Sequence, residues 1–577
     1  MKFCEICGAK LPENAVFCEE CGTPVAEAGA AADMPEESPA TKGTASGFCE
    51  NCGAPIHGTS RFCEECGAPL PESADAGSSM AAGSAAAGDT KKLASAFNAG
   101  TKAGWEDAWR NIARSAGDDL GLILTNMEQL ASDFNTSIDE VRSTLIDIME
   151  SRRNDGVTYA LIDINNNAID SSDGSDVERN VGLLSTIVNV ARPRYLMIIG
   201  NENAINVATW DNQSYDGDEQ VLADLPYATL DCTSPWEGQK FNLGDAMRVG
   251  RIPTYSGESI SELRDYFIRV EKYSGKINTI VPFGLSALVW KDESNALYKG
   301  ISSDRCKTSP NVKNEAVLGE IPAGANLLYF NLHGSDQTKF WYGQEGGTYP
   351  TAFSPEAVAS LNAPYFIGVE ACYGARYTDG LTKSDSIVMS ALSSGCLALM
   401  GSSMIAYGTS QEPGCCADVV IGRYIKDIAA GCTAGDAYIN AIKELTSKSD
   451  LDDAEIKTLA EFSLYGDPSV STKKRHTAGK LFKAFGGVKK GLHVPMPDIH
   501  RAVHAKLVQV DAKIAGNVQK SVYTKYAGFE GTEPKFFQMS NTGMLQAAFE
   551  KTDGMMKQVL KVYFDDKGKI KKEYHSK

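Results

Sequence analysis

The chain opens without the long apolar core of a secretory signal: MKFCEICGAK places a lysine at position 2 and a cysteine at position 4. Export is therefore not expected, and a cytoplasmic location is. A positive surplus is lacking too. Lys and Arg total 56 against 74 Asp and Glu, a net charge of −18, and a surface of that sign does not hold nucleic acid through bulk electrostatics. Uncharged runs are rare. The stretch Ser386–Gly408 is long enough to cross a bilayer, but it is rich in Ser and Gly and lacks basic anchors on its near side. It reads as a buried helix followed by a buried strand, so no membrane partner is expected. Histidine is scarce: seven in 577 residues, and between Asp155 and Ser471 His333 alone. An imidazole base in that stretch can only be His333.

What is present is ordinary in bulk. Hydrophobic residues make up 43% and charged residues 23%, which excludes a largely disordered chain. The length suggests about three to five domains. Phe3–Gly22 repeats almost residue for residue as Phe48–Gly67, 45 positions later. This gives small cysteine-rich units at 1–25 and 47–71, joined and followed by Ala/Gly/Ser/Pro/Glu-rich linkers at 26–46 and 72–90. Helical periodicity over 91–151 predicts two or three helices. Beyond Asp155, short apolar runs (VTYALIDI, RYLMIIG, INTIVPFG, NLLYFNL, APYFIGVE, CLALMGSS) alternate with helical stretches. That alternation predicts an α/β fold, a parallel sheet flanked by helices. From Thr472 to Lys577 there are 21 Lys and Arg against 9 Asp and Glu. This basic module is read as α+β, with a helix in RAVHAKLVQVDAKIAGNVQKSVY and a closing hairpin in KVYFDDKGKIKKEYH. It carries no recognised RNA-binding signature, and a solvated, helix-rich face or docking against the acidic remainder is the better account of its charge.

Each N-terminal repeat carries CxxC, ten residues, then CxxC: Cys4, Cys7, Cys18 and Cys21 in the first, Cys49, Cys52, Cys63 and Cys66 in the second. Two such knuckles bring four thiolates into a tetrahedron, which suits Zn²⁺ and leaves no open position for chemistry. Two structural zinc ions are expected, and metal binding would supply the folding energy of units too short for a core. Disulfides and rubredoxin-like iron are the weaker alternatives. The repeats resemble bacterial zinc ribbons, a resemblance that implies a protein partner.

His333 ends one strand-like run, in LLYFNLHGSD, and Cys372 ends another about forty residues later, in PYFIGVEACYGAR. C-terminal ends of neighbouring parallel strands share one sheet edge, where active sites gather. An imidazole beside a thiol there favours the thiolate and then protonates a leaving amine. Glycines close to both residues in sequence let backbone N–H groups approach an oxyanion. Taken singly, a lone Cys is usually a small buried hydrophobe and a lone His a satisfied surface residue.

The stretch 155–470 resembles the gingipain-type peptidases of the caspase–hemoglobinase clan. The resemblance rests on NLHGS (Asn331–Ser335), GVEACYGA (Gly368–Ala375), RVGRIP (Arg248–Pro253), GSS (Gly401–Ser403) and SLYGDPS (Ser463–Ser469). It implies a caspase/gingipain-like fold with subdomains at 155–275 and 276–471, the latter catalytic. It also implies a protein or peptide substrate, His333 as general acid/base and Cys372 as nucleophile, with no cofactor for catalysis. The oxyanion donors would be the N–H groups of Gly334 and Cys372. The sequence departs from the family in having Leu285 and Ser286 where a carboxylate would orient the histidine, which predicts a dyad without a third member. Basic specificity would need an acidic pocket residue, for which Asp292, Glu293 and Glu412 are candidates. KKRH (Lys473–His476) would then be a site of self-processing. The contrasting reading is an inactive peptidase fold serving as a scaffold between interaction modules.

Overall fold

The structure, a computed structural model, describes residues 102–166, 176–238, 243, 246–361, 364–410, 414–447, 451–474 and 502–577, with four two-residue strands nearer the N-terminus. The chain divides into two compact units, Met1–Asn111 and Ile112–Lys577. In the first, Lys2–Phe3 pairs antiparallel with Lys10–Leu11, and Gly47–Phe48 with Pro55–Ile56. The two pairings occupy equivalent places in the two repeats, each bracketing one CxxC. The eight cysteines themselves lie outside the described residues.

The second unit is built on one ten-stranded sheet. In chain order its strands are β1 (Leu120–Thr125), β2 (Thr158–Asp163), β3 (Tyr195–Ile199), β4 (Arg248–Ile252), β5 (Pro282–Ala287), β6 (Lys307–Ser309), β7 (Leu327–Asn331), β8 (Tyr365–Val369), β9 (Cys396–Ser402) and β10 (Phe462–Gly466). They lie side by side as β6-β5-β7-β8-β9-β10-β4-β3-β1-β2. All neighbours are parallel except β9 and β10. Helices Ile138–Asn154, Ile260–Tyr273 and Ile387–Ser394 pack together as one flanking group, and Lys291–Tyr298, Cys416–Ala430 and Ala434–Thr446 as another. The six apolar runs read as strands all are strands, with the third shifted a few residues onward. Ser386–Gly408 holds a buried helix followed by β9, as its composition suggested.

Two expectations need correction. The segment 91–151 is not purely helical: between helices Lys102–Ala116 and Met127–Asp133, LGLILT forms β1, with all six residues buried. A short apolar run cannot be told from a buried helical turn by periodicity, and here tertiary pairing with β2 and β3 decides. The two expected subdomains share a single continuous sheet, joined through β10, where Tyr465 pairs with Arg251 of β4. Several of the motif residues serve this join. Arg251 is fully buried, ion-paired to Asp224 at 2.6 Å and donating to the carbonyls of Gly200 and Ile205. Asp467 binds Arg152 at 2.7 Å and accepts from the Tyr159 hydroxyl. Buried charges of this kind persist only when paired.

The basic module forms an antiparallel sheet of Ala505–Leu507, Lys535–Met539, Leu545–Asp553, Met556–Phe564 and Ile570–Ser576. The helix Ala512–Lys525 packs on it over a core of Val518, Val522, Phe549, Leu560, Val562 and Phe564. The final hairpin is as expected; the helix begins later than expected, because Ala505–Leu507 is taken into the sheet. The module docks on acidic residues. Lys561 lies 2.7 Å from Asp453, Lys572 lies 2.9 Å from Asp452, and the hydroxyls of Tyr563 and Tyr574 bond the same two carboxylates.

Candidate active site

β7 and β8 pair with Phe330 opposite Val369, and the Glu370 N–H donates to the Phe330 carbonyl at 3.0 Å. Their chains therefore leave the sheet edge together, and His333 and Cys372 each follow three residues beyond that matched pair. Gly334 passes so close that a Cβ on it would lie 1.7 Å from the Cys372 carbonyl oxygen. Only glycine permits that approach. Past Cys372 the chain turns sharply, with Tyr373 at a φ of 51° and the Gly374 N–H donating to the Ala371 carbonyl at 3.0 Å. The Cys372 Sγ points at the Ala406 carbonyl, 3.5 Å away.

His333 is held on several sides. Its backbone N–H and carbonyl both bond Tyr342, each at 2.8 Å, and its ring packs 4.3 Å from Trp290 and 5.3 Å from Tyr349. Its Nε2 lies 2.7 Å from Gln344 Oε1. The Gln344 amide nitrogen donates to the Gly346 carbonyl and the Tyr349 hydroxyl, so the amide oxygen must face the ring. That assignment places the proton on Nε2 and leaves Nδ1 as the acceptor. At the place expected for an orienting carboxylate, Ser286 is tied to Ser294 at 2.7 Å, and the side chain that bonds the ring is a neutral one on the hairpin beside His333. Burial drives the imidazole down to about 3, outweighing the Gln344 bond, and pushes the Cys372 thiol up. Both groups rest neutral as the structure stands. Replacing Gln344 by Ala is expected to lower kcat about 10- to 100-fold, part of the 10²–10⁴ that a positioned acid–base contributes. KM should stay nearly unchanged; an unaltered kcat in steady-state kinetics would show that Trp290 and Tyr349 suffice to orient the ring.

Beside Cys372 lies an acidic pocket. Glu370, two residues earlier, accepts from the Tyr329 hydroxyl at 2.7 Å. Asp418 sits in the first turn of Cys416–Ala430, where the helix dipole favours a carboxylate. One of its oxygens accepts the N–H groups of Thr409 and Cys415. Trp290 walls the pocket off from His333, and Gly408 lines its floor. The ammonium of Lys577 fills it, 2.9 Å from Asp418 Oδ1, 3.2 Å from Glu370 Oε2 and 4.5 Å above the Trp290 ring. Burial and the neighbouring Asp418 push Glu370 well above the usual carboxylate range, while the Lys577 charge pulls it back. A cleft of about 480 Å³, which Cys372 also lines, runs between Gly334, Tyr373, Arg376, Asp385 and Met555.

Of the three acidic residues singled out from sequence, Asp292 is exposed and Glu293 is buried, against Gly414 near Asp418. Glu412 lies outside the described residues. Glu370 and Asp418 were missed. A glutamate inside the apolar run YFIGVEAC was the available signal for the first; nothing in the sequence marks the second. Lys473 pairs with Lys276, and Thr472 with Ile277, beyond the edge where β5 begins. That edge is opposite the one that bears Cys372.

Among solved structures, that of the Arg-specific cysteine proteinase gingipain R aligns at 11% identity with a TM-score of 0.45, covering 80% of this chain and 91% of that one. A structure described as a protease aligns at 13% identity and 0.38, covering 80% and 99%. The Saccharomyces cerevisiae separase–securin complex aligns at 12% and 0.28, covering 50% and 17%. No curated protein matches the chain. Residues 4–67 match the double zinc ribbon family. Residues 131–473, more than half of the sequence, match peptidase family C25, and the chain belongs to that family of cysteine peptidases.

Proposed function

We propose that this protein is an intracellular endopeptidase that cuts after lysine, with Cys372 as nucleophile and His333 as acid and base. The observation that carries this reading is the arrangement around one residue: an ammonium held between Asp418 and Glu370, on a residue whose carbonyl accepts the Cys372 N–H at 3.3 Å. A substrate lysine seated in the same way presents its carbonyl carbon to Sγ. His333 Nδ1 takes the thiol proton as sulfur attacks, and the oxyanion is held by the N–H groups of Cys372 and Gly334. The imidazolium then protonates the departing amine as the C–N bond breaks, leaving a thioester. Water, deprotonated by His333, cleaves the thioester, and the proton returns to sulfur. An intracellular setting is supported by the seven free cysteines among the described residues. The test is a peptide pool incubated with the protein and with Cys372→Ala, read by mass spectrometry. Cuts after lysine in the first sample alone are expected, and cuts spread over other residues would overturn the specificity.

The N-terminal repeats are read as holding one structural Zn²⁺ each, through Cys4, Cys7, Cys18 and Cys21 and through Cys49, Cys52, Cys63 and Cys66. Four thiolates per site fit zinc and leave it no vacant coordination position. Two zinc ions per chain should be released on thiol modification, measured with a colorimetric chelator. Their removal should leave hydrolysis of a short lysyl peptide unchanged; a parallel loss of activity would give the ribbons a part in the catalytic unit. Self-processing at KKRH, given the position of Lys473, is proposed to occur between molecules.

A further inference from the structure

The residue in the lysine pocket belongs to the basic module. Ile570–Ser576 pairs antiparallel with Tyr407–Gly408, with Ser576 opposite Tyr407 and His575 opposite Gly408. The Lys577 N–H donates to the Ala406 carbonyl at 2.9 Å, and its carbonyl accepts the Cys372 N–H. Backbone pairing along an edge strand, with alternate side chains entering pockets, is how extended peptides are commonly bound. Gly408 is shaped to this occupant: a Cβ there would lie 2.0 Å from Lys577 Cε. A second part of the module closes the other side. The turn after Leu545–Asp553 places the Met555 carbonyl 2.9 Å from Ser335 Oγ, at the mouth of the cleft beside Cys372.

Resting on the reading of Cys372 as the nucleophile, we infer that the basic module is an inhibitor in cis. His575, Ser576 and Lys577 fill the substrate strand position, and the site stays closed until the module lifts away. Its own core of Val518, Val522, Phe549, Leu560, Val562 and Phe564 would remain intact on lifting. Its attachments to the peptidase unit include ion pairs and tyrosine hydroxyl bonds to Asp452 and Asp453, at the start of the helix Asp453–Glu461. These groups regain hydration when separated, so such contacts open into water at lower cost than an apolar seam.

The test compares the full chain with Lys577→Ala in two assays: hydrolysis of a fluorogenic lysyl peptide, and the rate of iodoacetamide alkylation of Cys372 by peptide mapping. Loss of a buried charge partner should shift the docking equilibrium about 100-fold, raising both rates by up to that factor. Lys572→Ala/Tyr574→Phe, which cuts the anchor to Asp452 outside the pocket, should raise both by a smaller factor. The synthetic peptide Lys571–Lys577 should inhibit the Lys577→Ala protein at roughly millimolar concentration, the effective concentration a tether supplies. Equal alkylation rates in the full chain and both variants would overturn the inference, and hydrolysis by all of them would leave the peptidase reading standing. Faster alkylation of the variants without hydrolysis would uphold the closed site and remove the peptidase reading.

Discussion

Cys372→Ala is expected to fold normally and to cleave nothing. The substitution removes one buried sulfur, which costs about 1 kcal/mol, while the strand end, the Tyr373 turn and the Gly334 contact are set by backbone. Its effect on turnover should be about 10⁴-fold or more, because the proposed thioester forms on Cys372 and residues that act as a unit fail as a unit. Among the described residues the other free cysteines are Cys232, Cys306, Cys396, Cys415, Cys416 and Cys432. None of them lines the cleft beside His333. His333→Ala should be nearly as severe, since the Cys372 thiol, pushed up by burial, then lacks the base proposed to take its proton. Thermal unfolding and initial rates together check this. Retained activity in Cys372→Ala at normal stability would move the chemistry elsewhere.

The second large effect is on the choice of substrate. A lysine ammonium entering the pocket exchanges water for the Asp418 carboxylate, fixed by two backbone N–H groups, and for the Glu370 carboxyl, held by the Tyr329 hydroxyl and kept above the usual carboxylate range by burial. Removing one partner of a buried charge pair costs about 3–5 kcal/mol, roughly a hundredfold to several-thousandfold. Asp418→Asn should lower kcat/KM for lysyl peptides by that order, and Glu370→Gln, which exchanges a carboxyl that burial keeps above its usual range, by a smaller factor. Glutamine can still accept from Tyr329, and asparagine from Thr409 and Cys415, so both proteins should keep their folds. The double variant should favour an uncharged residue of similar length, such as norleucine, over lysine. Arginine should be a poorer substrate than lysine for the wild type, since Gly408, Trp290 and the two carboxylates close around an ammonium. An unchanged ratio of lysine to norleucine cleavage in Glu370→Gln would take Glu370 out of recognition.

Much of this fold could be read from the chain because parallel strands buried on both faces leave dense apolar runs, and six of these were evident. LGLILT was lost to a helical reading, since its six residues fit either structure until β2 and β3 are present to pair with it. The juxtaposition of His333 and Cys372 was legible for a related reason: each ends such a run, and adjacent parallel strands place their ends together. The acidic pocket was not. Glu370 belongs to the cysteine's own strand end, Asp418 to a helix start some fifty residues on, and Trp290 to the turn after β5. Only the folded chain collects them. Gln344 was hidden likewise, because a neutral amide oriented by its own hairpin carries no charge signature.

The most direct measurement is covalent. The Lys577→Ala protein is treated with a chloromethyl ketone peptide ending in lysine, and in parallel with one ending in norleucine, and the products are read by intact mass and peptide mapping. A single adduct on Cys372, formed rapidly with the lysyl reagent, slowly with the norleucyl one and hardly at all in His333→Ala, is the predicted result. Equal labelling by both reagents, or labelling at another cysteine, would contradict the account.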